Sequence, residues 1–332
     1  MNRLTKLRFS AVLLINDVFS LFCLMGKISP VTAAGFVSGI IFQMILSLPL
    51  ALSVRNGKCT ENCGKPVKIF FVAYLILWCG MLFSMLWNTS EVIYIPYENS
   101  GIWGRLAVSA SVGLVCLYMT SAGMKTLLRS SLIVSAAGAL CILIVVISAL
   151  FKCDFNNLKY AHSDNFPHEF IRGISLSGSL GSFVLLLGNT NGDAVINSIV
   201  YFSAKAVVSV IILMTAVLVS GGIMEIIDFP VVISAQLSQP FPSQRIDSLF
   251  LIIFSVFGVF SSALQSALAV YLVGTISERK KYVSVIILSL SIMSAFMMRG
   301  EVYSGAYIAA AVLSVLIIPC FSGNKLKRSV SK

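Results

Sequence analysis

Charge is what this chain has least of. Charged side chains make up 11% of its 332 residues, where a soluble domain carries roughly 25%. So few Asp, Glu, Lys and Arg cannot cover a sphere of this size with solvated groups, so most of the surface must face lipid. The same arithmetic, with 58% hydrophobic residues and a mean hydropathy of +0.94, excludes a disordered chain, a collagen and a coiled coil. Catalytic signatures are missing too. No GxSxG, HExxH or GxxxxGK[ST] pattern occurs, so nothing supports hydrolysis or nucleotide binding, and neither enzyme activity nor a cofactor is expected. Histidine occurs twice, at His162 and His168. Both lie in a loop beside Asp164 and Glu169, where a solvated role is the ordinary one and a metal or pH-sensing role the alternative. The eight cysteines fall mostly within apolar runs and imply no disulfide framework. Cys59 and Cys63, with three residues between them and no second pair or nearby His, do not make a zinc site.

What is present is a series of apolar runs of helix length. A hydrocarbon core of about 30 Å takes about 20 residues per helix, and lipid cannot satisfy free backbone groups, so each span must be helical or part of a closed barrel. Ten spans are read, at about 9–26, 31–54, 69–88, 106–123, 131–151, 173–188, 206–224, 248–273, 282–298 and 303–321. The sixth is short. Ten spans put both termini on one side, and the basic residues choose it: 17 of the 24 lie in the segments that share that side, among them Arg55, Lys125, Lys205 and Arg279. Nine acids fall on the opposite face. That is the pattern of cytoplasmic termini, and it accounts for the net charge of +11 without nucleic acid, since no basic run lacks an adjoining span. Residues 1–26 have the basic start and apolar stretch of a signal peptide. No small-residue cleavage pattern follows Leu24, however, and removing the span would invert every later loop against its charge.

Five spans followed by five form an inverted repeat if the halves are related. The expectation is a single all-α membrane domain, 1–332, with repeats at about 9–151 and 173–321, as in many secondary transporters. Such repeats place a site near the midplane, where the first helix of each half is interrupted. The first span holds Asn16-Asp17 at its centre, and Asp17 is the only acid inside any of the ten segments. An ionised carboxylate there costs at least about 3 kcal/mol, so it should face the bundle interior or a wet cavity. It could bind a substrate ammonium or Na⁺, carry a proton, or serve packing as a protonated acid hydrogen-bonded to a neighbouring helix. The sixth span, Ser175-Leu176-Ser177-Gly178-Ser179-Leu180-Gly181-Ser182, is too polar and Gly-rich for a comfortable lipid-facing helix. A break near Gly178 would free amides for a carboxylate and carbonyls for a cation; otherwise Gly178 and Ser182 only let two helices approach closely. With Asp17 this makes an amino-acid site, with Asn16, Asp17, Ser177, Gly178, Ser179, Gly181 and Gln265 as its residues. In the eighth span Ser262 and Ser266 lie one turn apart with Gln265 beside them, and interhelical hydrogen bonding is their commoner role, as for Tyr118 and Thr120 in the fourth span.

Four stretches resemble the spore-germination permeases, the B-type membrane subunits of nutrient germinant receptors within the amino acid-polyamine-organocation superfamily. Asp154-Phe155-Asn156-Asn157-Leu158 looks like that family's hydrophobic-Asn-Asn-Leu segment. Ser179 to Phe183, leading to Leu185-Leu186-Leu187-Gly188-Asn189, is similar to its sixth span and following turn. Phe229-Pro230, then Phe241 and Arg245-Ile246-Asp247-Ser248-Leu249-Phe250, matches its entry to the eighth span. Gly123 to Arg129 resembles its Gly-to-Arg turn. The first span departs from the family, having no Gly until Gly26, and Gly188 stands where the family often has Pro. The resemblance implies a ten-helix fold in the spore inner membrane, with a small-nutrient pocket between the first, third, sixth and eighth spans. It implies an A-type membrane subunit and a C-type lipoprotein as partners, and a sensing role. A free-standing amino-acid/cation symporter of the same fold, and a structural subunit with a degenerate pocket, are the alternative expectations.

Overall fold

In the computed structural model, the described residues are 4–56, 63–94, 101–159, 165–176, 179–221, 228–238, 246–276, 282–297 and 305–321. Among them the secondary structure is helical, apart from one parallel bridge between Leu4 and Thr190. The helices are α1 (Lys6–Phe22), α2 (Pro30–Arg55), α3 (Lys65–Tyr94), α4 (Gly101–Ala122), α5 (Met124–Leu150), α6 (Phe166–Ser175), α7 (Leu180–Leu187), α8 (Ala194–Ser220), α9 (Pro230–Leu237), α10 (Ile246–Ile276), α11 (Val283–Met297) and α12 (Gly305–Phe321). Six of them (α2, α3, α4, α5, α8 and α10) are long and apolar enough to cross a membrane, and the bent pair α6 and α7 makes a seventh. The chain is a multi-pass α-helical membrane protein.

Local chemistry sets the boundaries. Thr5 caps α1 with a side-chain oxygen that accepts from the Arg8 amide, and Ser29 and Thr32 form a reciprocal capping box on α2 with Pro30 at its first position. Asp193 caps α8 by accepting from the Val195 amide at 3.0 Å. The seventh span was expected at 206–224; the capped helix starts twelve residues earlier, at Ala194, and ends at Ser220. Lys205, expected in a loop on the side of the termini, is therefore a mid-helix residue. The first span was expected to be interrupted, but α1 runs without a break from Lys6 to Phe22. The sixth span is broken: α6 and α7 are separate helices whose axes differ by 50°. Ser177 and Gly178, between them, lie outside the described residues.

Packing is closest where glycine lets backbones meet. A Cβ on Gly173 would stand 2.7 Å from the Phe36 Cα, and one on Gly35 would stand 2.6 Å from the Glu169 Cβ, while Gly39 faces the Gly173 backbone at 3.2 Å. Thus α2 and α6 cross with almost nothing between them, a contact of the small-residue kind that drives association in lipid. Gln43 adds a hydrogen bond to the Ile174 carbonyl at 3.1 Å. Helix α10 packs antiparallel to α1: Phe22 meets Phe250 with ring centroids 4.8 Å apart, Phe19 meets Phe254 at 5.3 Å, and Gly258 lies against Phe19. The Asp154 to Leu158 segment has a docking task. Phe155–Lys159 forms a 3-10 turn, and Asn157 Nδ2 donates to the Leu218 carbonyl at 2.8 Å, fastening the turn onto the end of α8.

Gly173→Ala is expected to lower stability by about 1–3 kcal/mol through overpacking against immovable backbone. Gly113→Ala, whose new Cβ would meet nothing nearer than an Ile292 methyl at 3.5 Å, is expected to be neutral or stabilising by up to about 1 kcal/mol. Thermal midpoints of the two variants in detergent check the contrast.

Candidate functional site

Asp17 sits inside the bundle with 3% of its side chain exposed. Its carboxylate takes three donors. Ser179 Oγ donates to Oδ1 at 2.8 Å, Tyr201 OH donates to Oδ2 at 2.5 Å, and Lys205 Nζ lies 3.0 Å from Oδ1. The Ser179 and Tyr201 hydroxyls also touch each other. Lys205 is 5% exposed and stands over the Tyr201 ring, 5.9 Å from its centroid. Three elements supply this cluster, α1, the start of α7, and α8, where Tyr201 and Lys205 are four residues apart and share one face. Lys205 is eleven residues into a helix of 27, so it is about 17 Å from one end of a rod about 40 Å long, near mid-depth.

The surroundings exclude water. Phe183 stacks on Tyr201 at 5.6 Å, Phe9 meets both rings at 5.8 and 6.2 Å, and Phe202 packs against Tyr201 at 4.9 Å. In such a setting neither charge is tolerable alone, and each partner is the condition for the other being ionised. Asp17 was expected to be available for a substrate amine; Lys205 already occupies that role. The sequence reading missed Lys205 and Tyr201 because the seventh span was started too late. The signal was there: carrying the apolar run back to the Asp193 cap places both residues on the helix.

The other expected residues divide. Asn16 is fully buried, and neither atom of its side-chain amide has a hydrogen-bond partner. Ser179 joins Asp17 as described. Gly181 lies against the Tyr74 ring, where a Cβ would come within 2.6 Å. Gln265 is a crosslink, its Oε1 accepting from Ser182 Oγ at 3.1 Å, which ties α10 to α7. Ser266 bonds back to the carbonyls of Ser262 and Ala263 on its own helix, as Thr120 does to Cys116 and Leu117, and Tyr118 is 75% exposed. Ser261 and Ser262 are both fully buried with unpartnered hydroxyls. The α1–α10 pairing, Phe22 with Phe250 and Phe19 with Phe254, runs antiparallel toward the turns that carry Asn16 and these two serines. On α3, Cys79 Sγ donates to the Ser262 carbonyl at 3.5 Å, and Trp78 and Tyr74 each bury a donor without a partner. Apart from the ion pair, these neutral side chains of α1, α3 and α10 leave buried polar atoms unpaired.

His168, expected to be solvated in a loop, is 74% exposed but lies in α6, with Nδ1 3.2 Å from Glu169 Oε1, and Glu169 is itself buried and bonded to Arg172 at 3.3 Å. His162, Asp164 and residues 59–62 lie outside the described residues. Comparison with protein-family models and with curated proteins gave no match.

Lys205→Met is expected to destabilise the fold by about 3–5 kcal/mol, because it leaves a buried carboxylate without its counter-ion. The double variant Asp17→Asn/Lys205→Met should recover most of that loss. Unfolding midpoints of the two singles and the double check this; strictly additive losses would show the pair is uncoupled.

Proposed function

We propose that the chain is the permease-like subunit of a spore nutrient germinant receptor, a ten-span, 5+5 inverted-repeat protein that recognises a small nutrient such as an amino acid. The observation that carries this reading is the unsaturated polar group at the heart of an otherwise apolar bundle. Buried side-chain polar atoms are in large majority hydrogen-bonded, yet Asn16 on α1, Tyr74 and Trp78 on α3, and Ser261 and Ser262 on α10 each leave a buried donor or acceptor unpaired, and α10 packs against both α1 and α3. A small polar ligand would supply the missing partners. The break between α6 and α7 adds the free backbone groups of two helix ends, suited to the charged ends of an amino acid. In this reading Asp17 binds no ligand directly. Its role is to hold Ser179, Tyr201 and Lys205 in place, and so to fix where α7 begins.

The sequence likenesses at Asp154 to Leu158, Ser179 to Asn189, Gly123 to Arg129 and Arg245 to Phe250 supply the family. They bring with them an A-type membrane subunit, a C-type lipoprotein, cytoplasmic termini and the spore inner membrane as the setting. Arg55 of α2 and Asp193 at the start of α8 pair at 3.4 Å, which supports the reading that those two ends share one side. A second reading is an amino-acid/cation symporter of the same fold, and the mid-depth Asp17–Lys205 pair is what favours it: a cation that displaced Lys205 from the carboxylate would couple to the movement of α8. Recognition rather than catalysis is proposed in both.

Spores lacking this protein should stop responding to one nutrient while keeping their response to others. Complementation with Asn16→Ala should shift the nutrient dose-response about tenfold, equivalent to one buried hydrogen bond of about 1.4 kcal/mol. An unshifted curve would show that Asn16 does not meet the ligand. Concentrative uptake of a labelled amino acid into reconstituted vesicles, driven by an ion gradient, would instead establish the symporter.

A further inference from the structure

A groove of about 780 Å³ runs between α1, α5 and α8. Its walls are small or aliphatic, with Ser10, Ala11, Ala136, Ala139, Ala204 and Val208 among them, and Lys6 stands at one end. Its lips are exposed apolar side chains: Leu7 is 70% exposed, Leu143 58% and Val200 49%. In a membrane, therefore, it opens sideways to lipid. Along α1 it extends from Lys6 to Val18, a rise of about 18 Å, close to the roughly 15 Å of hydrocarbon in one leaflet. Phe257 of α10 contributes to its wall, its ring filling the place that a side chain on Gly138 would take.

We infer that this groove is a binding site for one anionic phospholipid of the leaflet on the amino-terminal side, with an acyl chain between α5 and α8 and its phosphate at Lys6. Three observations choose this occupant. A partner helix would need about 30 Å of continuous contact, and along α1 the groove reaches only from Lys6 to Val18. The polar end offers a cation that makes no ion pair among the described residues. The nearest acid in sequence to Gly192, over which the Lys6 side chain lies, is Asp193, and it is already paired with Arg55. Finally, the depth matches a single chain entering from one surface. The site is separate from the neutral polar group between α1, α3 and α10 and does not depend on the reading of that group.

The test uses the purified full-length protein in a mild detergent, with phosphatidylglycerol and phosphatidylcholine of identical acyl chains added in equal amounts, read by native mass spectrometry. The expected result is one retained lipid per chain, with phosphatidylglycerol favoured about fivefold, the equivalent of about 1 kcal/mol for one basic residue near a phosphate. Ala139→Phe, which fills the groove from its lipid-exposed lip, should abolish retention of both lipids. Lys6→Gln should keep one lipid bound and lose the preference between the two. Equal retention of the two lipids by the natural protein would overturn the proposal, as would undiminished retention by Ala139→Phe or a dimer in place of the lipid-bound monomer. Should Ala139→Phe fail to fold, Lys6→Gln decides alone: an unchanged preference for phosphatidylglycerol overturns the assignment of the phosphate, and a lost preference supports it.

Discussion

A carboxylate and an ammonium that lipid would reject singly hold the centre of this molecule together. Asp17 and Lys205 come from helices far apart in sequence, and each is almost wholly removed from solvent. A charge at the middle of a bilayer costs several kcal/mol unless it is met by a partner, so α1 and α8 are committed to each other at one height and one rotation. The hydroxyls of Ser179 and Tyr201 complete the shell around the carboxylate and bring in the first residue before α7. Everything that lies around this point, including the 50° bend of the sixth span and the ring of Phe9, Phe183 and Phe202, is arranged to keep water out and the four groups in contact. A buried pair of this kind adds little to stability compared with a well-packed apolar core. What it supplies is a single register for three helices.

Two kinds of buried polar group meet in α1. The Asp17 carboxylate is held by Ser179, Tyr201 and Lys205. Next to it Asn16 leaves its amide unpaired, as do the hydroxyls of Ser261 and Ser262 on α10 and the donors of Trp78 and Tyr74 on α3. Asn16 and Asp17 are adjacent in sequence but a helix turns by about 100° per residue, so the two side chains serve different faces of α1. Asp17 meets Lys205 of α8, while Asn16, on another face, leaves its buried amide unpaired.

Much of this was readable in the sequence. The apolar runs, the low charge and the depth of Asp17 follow from composition and spacing, and the polarity of Ser177 to Ser182 marked the sixth span as broken. The unreadable part has physical causes. A lysine in the middle of an apolar run reads as a loop until its counter-charge is known, and that counter-charge lies 188 positions away in the chain. Nor does the sequence tell which of two neighbouring polar residues faces which helix. The first span, where an interruption was looked for, continues as helix through Asn16-Asp17-Val18, since none of those residues relaxes the backbone. Gly35, Gly39 and Gly173, which look ordinary in the sequence, turn out to bring the backbones of two helices into close contact.

The two ends of α1 are tied down differently from those of the sixth span. Leu4, just before it, exchanges backbone hydrogen bonds at 2.7 Å with Asn189 and Asn191 beyond α7, and just after it the Gly26 amide donates to the Asp228 carbonyl at 2.9 Å while Arg172 holds the carbonyls of Met25 and Lys27. A rod pinned at top and bottom cannot pivot about its own middle. The α6 segment packs on α2 through Gly35, Gly39 and Gly173, and its Arg172 is the same side chain that holds the chain just after α1. Helices α1, α2 and α6 are therefore fastened into a single block at that end.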